Sequence, residues 1–309
     1  MNTGNSIDIC VCTFRRRELA DTLRSLAAME LPKGYEVGIV VADNDEVPSA
    51  ARLVADLARQ LPLPIRYVHC PARNISIARN ACLDASSADF VAFIDDDEKA
   101  TGSWLTRLME TAQATSADVV LGPVKARYGA EAPGWMQVGD FHSTYPVFVR
   151  GEIRTGYTCN ALLRMSSPSI AERRFSLARG QSGGEDTEFF DQVFGAGGRI
   201  AYASDAWVEE PVPPTRASLG WLTRRRFRVG QTHGRLLGSK RPGMRLAGEL
   251  ARASAKAGYC FAAAGLAAFR PVSRNRSLLR GVMHIGVLSG LVGVRELTLY
   301  GGEGGKDAA

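Results

Sequence analysis

The chain has 309 residues, of which 45% are hydrophobic and 23% are charged, a composition typical of an ordinary globular protein. This length suffices for one large α/β domain or for one domain with an appended lobe. The first six residues contain no basic region followed by an apolar core, so we expect no secretory signal and a cytoplasmic catalytic part.

The net charge of +6 conceals an asymmetry along the chain. Residues 1–214 contain 21 Lys and Arg against 28 Asp and Glu, a balance of −7, whereas residues 215–309 contain 17 against 4, a balance of +13. A basic C-terminal third indicates an anionic partner, either a membrane surface or a nucleic acid. Long apolar segments, mainly Ala, Leu, Gly and Val, interrupt the basic residues of this region, whereas nucleic-acid-binding surfaces interleave basic residues with aromatics. This favours a membrane and no nucleic acid.

Apolar runs alternate with helical patterns along the first hundred residues. Strands are predicted over 7–13, 35–42, 65–69 and 90–94, and helices over about 18–29, 49–60 and 76–84, the last capped by Ser76. This alternation indicates βαβ units and a mostly parallel sheet, whose ligands bind beyond the carboxyl ends of the strands. Five polar residues fall at those ends: Thr13, Asp43, Asp45, Asp95 and Asp97.

After residue 97 the alternation loosens. We predict helices over 104–115 and from about 183, strands over 118–124, 158–165 and 199–203, and a loop over 129–141. The proline-rich segment 210–214 predicts a boundary. The expected organisation is therefore a catalytic domain over 1–214, with a nucleotide-binding half over about 1–124 and an acceptor-binding half over about 125–214, and a basic, amphipathic helical, membrane-associating region over 215–309.

Two apolar segments in the basic region, 258–269 and 281–294, are each shorter than the ~20 residues that a membrane span needs. They predict helices that lie in the membrane plane or pack on the main domain. The six cysteines are scattered and form no C-x-x-C pair, so we expect buried free thiols and neither a disulfide framework nor a zinc site.

Four consecutive acids, Asp95, Asp96, Asp97 and Glu98, follow the strand over 90–94. Like charges so close together remain ionised only against a cation, a basic side chain or open water. One interpretation is a divalent metal ion that holds a phosphate-bearing substrate, and the other is a solvated acidic loop.

Five motifs occur in order: I-C-V-C-T-F-R over 9–15, V-V-A-D-N over 40–44, I-S-I-A-R-N over 75–80, I-D-D-D over 94–97 and G-E-D over 184–186. This ordered set resembles the family-2 glycosyltransferases of the GT-A fold, over about residues 7–235. The chain length, the residues of these motifs and the basic C-terminal tail are similar to those of bacterial succinoglycan-biosynthesis glucosyltransferases.

The resemblance implies an α/β fold of the GT-A nucleotide-diphospho-sugar transferase type, with a mostly parallel central sheet flanked by helices and a C-terminal helical basic tail. It implies a nucleotide-sugar-binding set of seven residues: Thr13, Arg15, Asp43, Asp45, Arg79, Asp95 and Asp96. It also implies that Asp97, with Asp95 as a ribose or metal contact, ligates Mn or Mg, hard cations that prefer oxygen ligands and bridge phosphates.

Three of these positions have structural alternatives. Asp96 points away from its neighbours on an extended chain, so we expect its role to be structural. The alternative for Arg15 is that the basic turn containing it is exposed to solvent and contacts no ligand. Arg79 could instead form an ion pair with Asp84 or with the acids at the strand ends.

The resemblance assigns the acceptor side to Glu185 and Asp186. We predict Asp186 as the general base, with Glu185 or Glu188 as alternatives. The structural alternative is that these acids only favour the helix dipole in a first turn. One base without a carboxylate nucleophile implies a single displacement with inversion.

Processive relatives contain a Gln-x-x-Arg-Trp motif, where this chain has Arg-Arg-Arg-Phe-Arg over 224–228. The difference predicts transfer of a single sugar. Arg228 and His233 are candidate phosphate or acceptor contacts, and the remaining arginines are expected to meet lipid head groups or the diphosphate of the acceptor.

The expected function is metal-dependent transfer of one sugar, glucose from UDP-glucose, to a polyprenyl-diphosphate-linked oligosaccharide in exopolysaccharide synthesis. The enzyme would be peripheral, on the cytoplasmic face of the bacterial inner membrane. A nucleotidyltransferase is an alternative, but it needs a glycine-rich stretch after the first strand, and residues 13–17 contain no glycine. A non-catalytic sugar-nucleotide-binding protein is the third interpretation.

Overall fold

The computed structural model describes residues 5–181, 183–240, 244–295 and 297. Its strands are β1 (Asn5–Thr13), β2 (Tyr35–Asp43), β3 (Ile65–His69), β4 (Phe90–Asp95), β5 (Lys99–Ala100), β6 (Val119–Leu121), β7 (Val124–Tyr128), β8 (Phe148–Val149), β9 (Glu152–Ile153), β10 (Asn160–Arg164), β11 (Ile200–Tyr202) and β12 (Val208–Val212). Its α-helices are α1 (Leu19–Ala27), α2 (Ala51–Gln60), α3 (Ile75–Ala85), α4 (Trp104–Thr115), α5 (Gly134–Gly139), α6 (Glu185–Gly195), α7 (Leu219–Lys240), α8 (Met244–Leu266) and α9 (Pro271–Leu291).

The central sheet has the strand order β11-β6-β10-β4-β1-β2-β3. Strand β1 pairs in parallel with β2 and β4, whereas β10 runs antiparallel to both of its neighbours. The first five residues of β4 are all buried, as expected for a strand that is covered on both faces. The predicted α/β class with a mostly parallel sheet flanked by helices is confirmed.

Side chains of β1 alternate between two hydrophobic cores, one on each face of the sheet. Ile7, Ile9 and Val11 pack with α1, α2 and α4 on one face. Cys10 faces the other core, which α3 and α6 cover. Each fully buried aliphatic side chain of this kind contributes about 1.5–3 kcal/mol to stability. All six cysteines are free thiols; Cys10, Cys82 and Cys260 are buried, whereas the other three, also predicted to be buried, are half-buried.

The predicted strand over 118–124 is wrong in its extent. Gly122 and Pro123 divide it into β6, in the central sheet, and β7, which pairs with β12 in a second sheet of order β5-β12-β7. Proline lacks the N–H that a continuous ladder needs. A Cβ at Gly122 would overlap the carbonyl oxygen of Ala206, so the chain requires glycine at this bend.

Other local predictions also need correction. Asn74, and not Ser76, caps α3, because its side chain accepts hydrogen bonds from the backbone N–H groups of Ser76 at 3.0 Å and Ile77 at 3.4 Å. The segment expected as a boundary includes most of β12, whose Pro211 lies beyond the two residues that pair with β5, so that side of the strand is an edge there. The loop predicted over 129–141 contains the short helix α5.

Helices α7 and α9 cross where each has two glycines. These are Gly230 and Gly234 on α7, and Gly286 and Gly290 on α9. A Cβ at Gly286 would overlap the carbonyl oxygen of Phe227, so the two backbones are in direct contact. Helix α8 packs along α9. Across the described residues, no helix combines the length and the apolar character needed to cross a membrane.

A third hydrophobic cluster fastens α7 and α9 to the sheet-containing part. Leu222 of α7 and Leu279 of α9 pack with Met136 and Phe141, at and just beyond α5. The Arg276 guanidinium donates a hydrogen bond of 2.8 Å from Nη2 to the carbonyl oxygen of Gly139. The basic helices therefore lie against α5 and the residues just after it.

Candidate active site

The carboxyl ends of β1, β2 and β4 meet at one edge of the central sheet. The strand register pairs Thr13 with Asp43, and Cys12 with Asp95. This is the edge at which open α/β sheets bind ligands. The structure therefore brings together the strand-end residues of the predicted nucleotide site.

Arg15 and Asp45 form a bidentate ion pair beyond β1 and β2. The guanidinium donates from Nε to Oδ2 and from Nη2 to Oδ1, each at 2.9 Å. The hydrogen bonds from Arg15 lower the pKa of Asp45 despite its burial. The Arg15 backbone has a φ of 54°, a left-handed conformation that the pair and the surrounding turn hold in place.

Asp43 is fully buried and fastens the loop that follows β2. Its carboxylate accepts hydrogen bonds from the backbone N–H groups of Asp45 at 3.1 Å and Ala50 at 2.9 Å, and from the Tyr67 hydroxyl at 2.7 Å. These three bonds occupy most of the lone-pair sites of a carboxylate. Its predicted contact with the base or ribose remains a prediction.

Asp96 lies beneath the site and connects β4 to β1 and α1. The Thr13 hydroxyl donates to Asp96 Oδ2 at 2.7 Å, and the Thr22 hydroxyl donates to the Asp96 carbonyl oxygen at 2.9 Å. Arg16 lies 3.8 Å from the Asp96 carboxylate and 3.5 Å from that of Asp97. Burial, with the charge of Asp97, raises the pKa of Asp96 to about 8.

Asp95, Glu98 and Cys159 form a cluster whose ligand atoms all lie within 4.8 Å of one another. Glu98 Oε2 accepts a hydrogen bond of 2.9 Å from the backbone N–H of Asp95. Within the described residues, no group hydrogen-bonds to its buried Oε1. Burial raises the pKa of Asp95 to about 7; Arg79 opposes this rise, and the charge of Asp97 adds to it.

The two carboxylates of this cluster fit a hard divalent cation such as Mn or Mg. They supply oxygen ligands, and the buried Oε1 of Glu98 has no hydrogen-bond partner among the residues that the structure describes. A cation would neutralise the local excess of negative charge. Cys159 does not match these ions, because its sulfur is soft and burial raises the pKa of its thiol. Asp97, the predicted ligand, lies on the Arg16 side and outside the cluster, whereas sequence reasoning assigned no role to Glu98.

Two glycines with left-handed backbone deliver α6 to the site. Gly183 has a φ of 84° and Gly184 a φ of 88°, and the helix begins at the next residue. A Cβ at Gly183 would overlap the Arg228 guanidinium, and one at Gly184 would crowd the Thr232 side chain. Glycine is therefore favoured at both positions by the left-handed backbone, and a Cβ would in addition require Arg228 and Thr232 to move.

Arg79 of α3 and Glu185, the first residue of α6, form a buried ion pair. The guanidinium also lies over the Phe175 ring, 5.5 Å from its centroid. Burial disfavours the charged guanidinium, but the carboxylates of Glu185, Asp186 and Asp95 outweigh burial and raise the pKa of Arg79. The partner predicted as an alternative, Asp84, pairs instead with Arg174.

Asp186 is partly exposed beside this pair. Its Oδ1 accepts hydrogen bonds from the Thr187 backbone N–H at 2.6 Å and from the Thr187 hydroxyl at 3.2 Å. Burial and the charge of Glu185 raise the pKa of Asp186, while Arg79 and Arg228 oppose the rise. A carboxylate with a raised pKa at the edge of a cleft can accept a proton from a hydroxyl group.

The remaining predicted residues divide between the site and its surroundings. Arg228 lies beside the Gly183–Gly184 turn, and its charge acts on Asp186. His233, one helical turn further along α7, lies toward α8, where Lys256 is the charge that acts on it most strongly. Glu188 forms an ion pair with Arg179.

Glu210 of β12 is a site residue that sequence reasoning missed, because its Glu-Pro context indicated a boundary. Burial and the charge of Asp97 raise the pKa of Glu210, and Arg216 lies 3.4 Å from its carboxylate. No signal in a single sequence places it beside Asp97, because the proximity depends on the pairing of β12 with β5 and β7.

Comparison with protein families identifies the family of the chain. The model described as glycosyl transferase family 2 matches residues 8–168, about half of the chain, including β1 and the acid run after β4. The chain is 59% identical over 295 residues to the succinoglycan biosynthesis protein ExoM of Rhizobium meliloti (strain 1021), covering 96% of each chain. The resemblance predicted from the motifs is confirmed.

Solved structures with the same architecture include TarS of S. aureus. The chain resembles TarS 1-349 in complex with UDP-GlcNAc at a TM-score of 0.53 and 16% identity, covering 94% of this chain and 92% of that one. A larger TarS structure matches at a TM-score of 0.52 and 19% identity, and the match spans only 52% of its length. At this identity the likeness establishes the shared GT-A fold.

Proposed function

The chain belongs to glycosyl transferase family 2 and is a glycosyltransferase; from this premise we propose that it transfers a single sugar, with inversion, to a lipid-linked oligosaccharide. The donor is a nucleoside diphosphate sugar, and the proposed one is UDP-glucose. The relative named as a succinoglycan biosynthesis protein supports a role in exopolysaccharide synthesis. A TarS structure in complex with UDP-GlcNAc supports a uridine nucleotide as the donor carrier.

One observation carries this proposal: carboxylates from the two halves of the chain face one another across Arg79. Asp95 and Asp97 lie at the end of β4, and Asp186 lies at the start of α6. The charges of both Asp97 and Asp186 act on Asp95, while the Arg79 charge opposes them. A donor diphosphate beside Asp95 would therefore lie within reach of the group that deprotonates the acceptor.

In this proposal Asp186 accepts the proton from the attacking hydroxyl group, and Arg79 and Glu185 hold the first turn of α6 in position. Arg15 and Asp45 border the nucleotide. Asp95 and Glu98, with Asp97 nearby, would hold a manganese or magnesium ion, which supplies positive charge against the departing diphosphate. Arg228 and the other arginines of α7 would contact the diphosphate of the donor or of the acceptor.

The C-terminal helices support a peripheral site at an anionic membrane, on the cytoplasmic face. Residues 215–309 have a balance of +13 in Lys and Arg over Asp and Glu. A surface of this charge attracts anionic lipids by about 1 kcal/mol for each basic residue near the membrane. A polyprenyl-linked acceptor would be presented at the same surface.

The test is a donor screen. The full chain is mixed with a panel of nucleotide sugars, manganese and a lipid-linked acceptor extract, and nucleoside diphosphate and pyrophosphate are measured separately. We expect UDP release that requires the acceptor and is greatest with UDP-glucose, and a product whose anomeric configuration is inverted relative to the donor. Pyrophosphate release in a parallel reaction that contains UTP and glucose 1-phosphate in place of the nucleotide sugar would identify a nucleotidyltransferase. Donor binding without release of either product would identify a non-catalytic binder.

A further inference from the structure

The turn between α8 and α9 exposes large apolar side chains at the end of the C-terminal helices. Leu266, the last residue of α8, is 93% exposed, and Phe269 in the turn is 99% exposed. Exposure of two such side chains at one protruding turn is a feature of interaction surfaces. We call this turn, residues 266–270, the α8–α9 tip.

Side chains along one face of α8 change in character toward the tip. Arg252, Lys256, Tyr259 and Leu266 lie on the same face, because their spacings of three, four and seven residues repeat the helical period. Tyr259 is 77% exposed. At 1.5 Å per residue, Tyr259 lies about 10 Å and Arg252 about 21 Å from Leu266 along the helix axis. The face therefore runs from cationic, through amphipathic, to apolar.

The charge of this hairpin is of one sign near the tip. Residues 250–295 contain seven Lys and Arg and neither Asp nor Glu, although Glu249, just before them, forms an ion pair with Arg252 at 3.2 Å. Arg252, Lys256 and Arg280 line an open cavity of about 570 Å³ between α8 and α9. Burial and the positive charges of Lys256, His233 and Arg280 lower the pKa of His284 at its edge. The surface is thus complementary to anionic head groups.

We propose that the α8–α9 tip inserts end-on into a bilayer that contains anionic phospholipids, with Leu266 and Phe269 in the hydrocarbon edge, Tyr259 at the interface, and the long side chains of Lys256 and Arg280 reaching toward lipid phosphates. This inference rests on the membrane association in the proposed function and specifies its mode. The head-group layer on each side of a membrane is about 5–8 Å thick, so the distance of about 10 Å from Leu266 to Tyr259 places Tyr259 at its outer boundary. Arg252, about 21 Å from Leu266, stays above the lipid.

End-on insertion explains the polarity gradient better than a helix lying in the membrane plane. A helix in the plane is apolar along its whole buried face, whereas this face of α8 carries Arg252 and Lys256 in its first half. Long cationic side chains reach phosphates from above the head groups. The packing of Arg276 and Leu279 on the α5 region then fixes the tip relative to the acceptor side of the site.

The experiment is flotation of the full chain with vesicles of equal parts phosphatidylglycerol and phosphatidylethanolamine, and with vesicles of phosphatidylcholine alone. We expect binding to the anionic vesicles, and at least a tenfold fall in the partition coefficient for the double variant Leu266→Ser/Phe269→Ser. The matched control is Val292→Ser/Val294→Ser, because these residues are 61% and 51% exposed at the opposite end of α9. The control should bind like the wild type.

A second measurement reports insertion directly. Phe269→Trp should show quenching by brominated phospholipids above the wild-type background, whereas Val292→Trp should not. Lys256→Gln/Arg280→Gln, introduced into the Phe269→Trp protein, should weaken binding to anionic vesicles. The quenching of Trp at position 269 in the molecules that still bind should stay the same.

Three results would overturn the inference in distinguishable ways. Equal flotation of the Leu266→Ser/Phe269→Ser variant and the wild type would refute insertion of the tip. Failure of the wild type to float would refute the membrane association itself, while UDP release would still test the transferase activity separately. A dimer of the wild type that becomes monomeric in the serine variant, with unchanged flotation, would assign the tip to a second copy of the chain.

Discussion

Arg79 and Glu185 form a buried ion pair that joins α3 to the first residue of α6, across 106 positions of sequence. Helix α3 follows the nucleotide-side strands, and α6 carries the proposed base. The pair therefore couples the positions of the two reacting groups, because a shift of either helix would separate two charges in a poorly hydrated environment.

Removing the carboxylate of this pair should destabilise the fold. In Glu185→Gln the guanidinium of Arg79 stays buried without its main counter-charge, so we expect a loss of about 3–5 kcal/mol in the free energy of unfolding, measured by urea denaturation. The double variant Arg79→Met/Glu185→Leu should recover much of this loss, because it buries no unpaired charge. A Glu185→Gln variant that unfolds at the wild-type urea concentration would contradict the structural role of the pair.

Asp186→Asn should act on rate and not on stability. The side chain is partly exposed and keeps a similar shape, so the melting temperature and the Kd for UDP should change little. As the proposed general base, Asp186 should contribute a factor of about 10²–10⁴ to kcat. Single-turnover measurement of sugar transfer checks this. Glu188→Gln, whose carboxylate pairs with Arg179, serves as the comparison, and a larger rate loss there would move the base to Glu188.

The metal site should depend on oxygen ligands. We expect Asp95→Asn and Glu98→Gln each to raise the manganese concentration for half-maximal UDP release at least tenfold, since each removes a hard ligand. Cys159→Ala should leave that concentration within about twofold, because a thiolate is a poor ligand for these cations. Asp97→Asn decides whether its carboxylate joins the site: an unchanged manganese requirement would leave Asp97 as the partner of Arg16.

The glycine crossing of α7 and α9 should tolerate no side chain. Gly286→Ala places a methyl group against the Phe227 carbonyl oxygen, a backbone atom that cannot move aside, so we expect a loss of about 1–3 kcal/mol in unfolding free energy. Gly248→Ala, in open space on α8, should be neutral or stabilising by up to about 1 kcal/mol through helix propensity. Thermal unfolding of the two variants compares them, and equal melting temperatures would refute the close crossing.

His142 should make stability fall in mild acid. Its ring stacks on Trp221, 5.3 Å between centroids, and burial lowers the pKa of His142 to about 4. An unfolded histidine takes up a proton near pH 6.5, so between pH 6.5 and 4 the unfolded chain binds a proton that the folded chain does not. The free energy of unfolding should therefore decrease as the pH falls from 6.5 to 4, by at most about 1.4 kcal/mol per pH unit. His142→Gln should remove this contribution, and identical pH slopes for both proteins would contradict it.

Much of the fold could be predicted from local patterns in the sequence. Hydrophobic runs and helical spacings predicted β1–β4, α1–α4 and the start of α6, because period and turn residues act within a few positions. The strand-end rule then located the candidate site and most of its members before any contact was known. The motif order was sufficient to identify the family.

Three features depended on tertiary structure alone. The strand expected over 118–124 divides between two sheets because Gly122 meets the Ala206 backbone, a contact made across 84 positions. Glu210 joins the site only through the pairing of β12 with β5 and β7, and Glu185 binds Arg79 only when α3 and α6 pack on one face of the sheet. The spacing and order of the residues determined which groups reach the sheet edge. Packing determined which charges face one another there, because burial and long-range pairing set the pKa of each carboxylate and no local pattern encodes them.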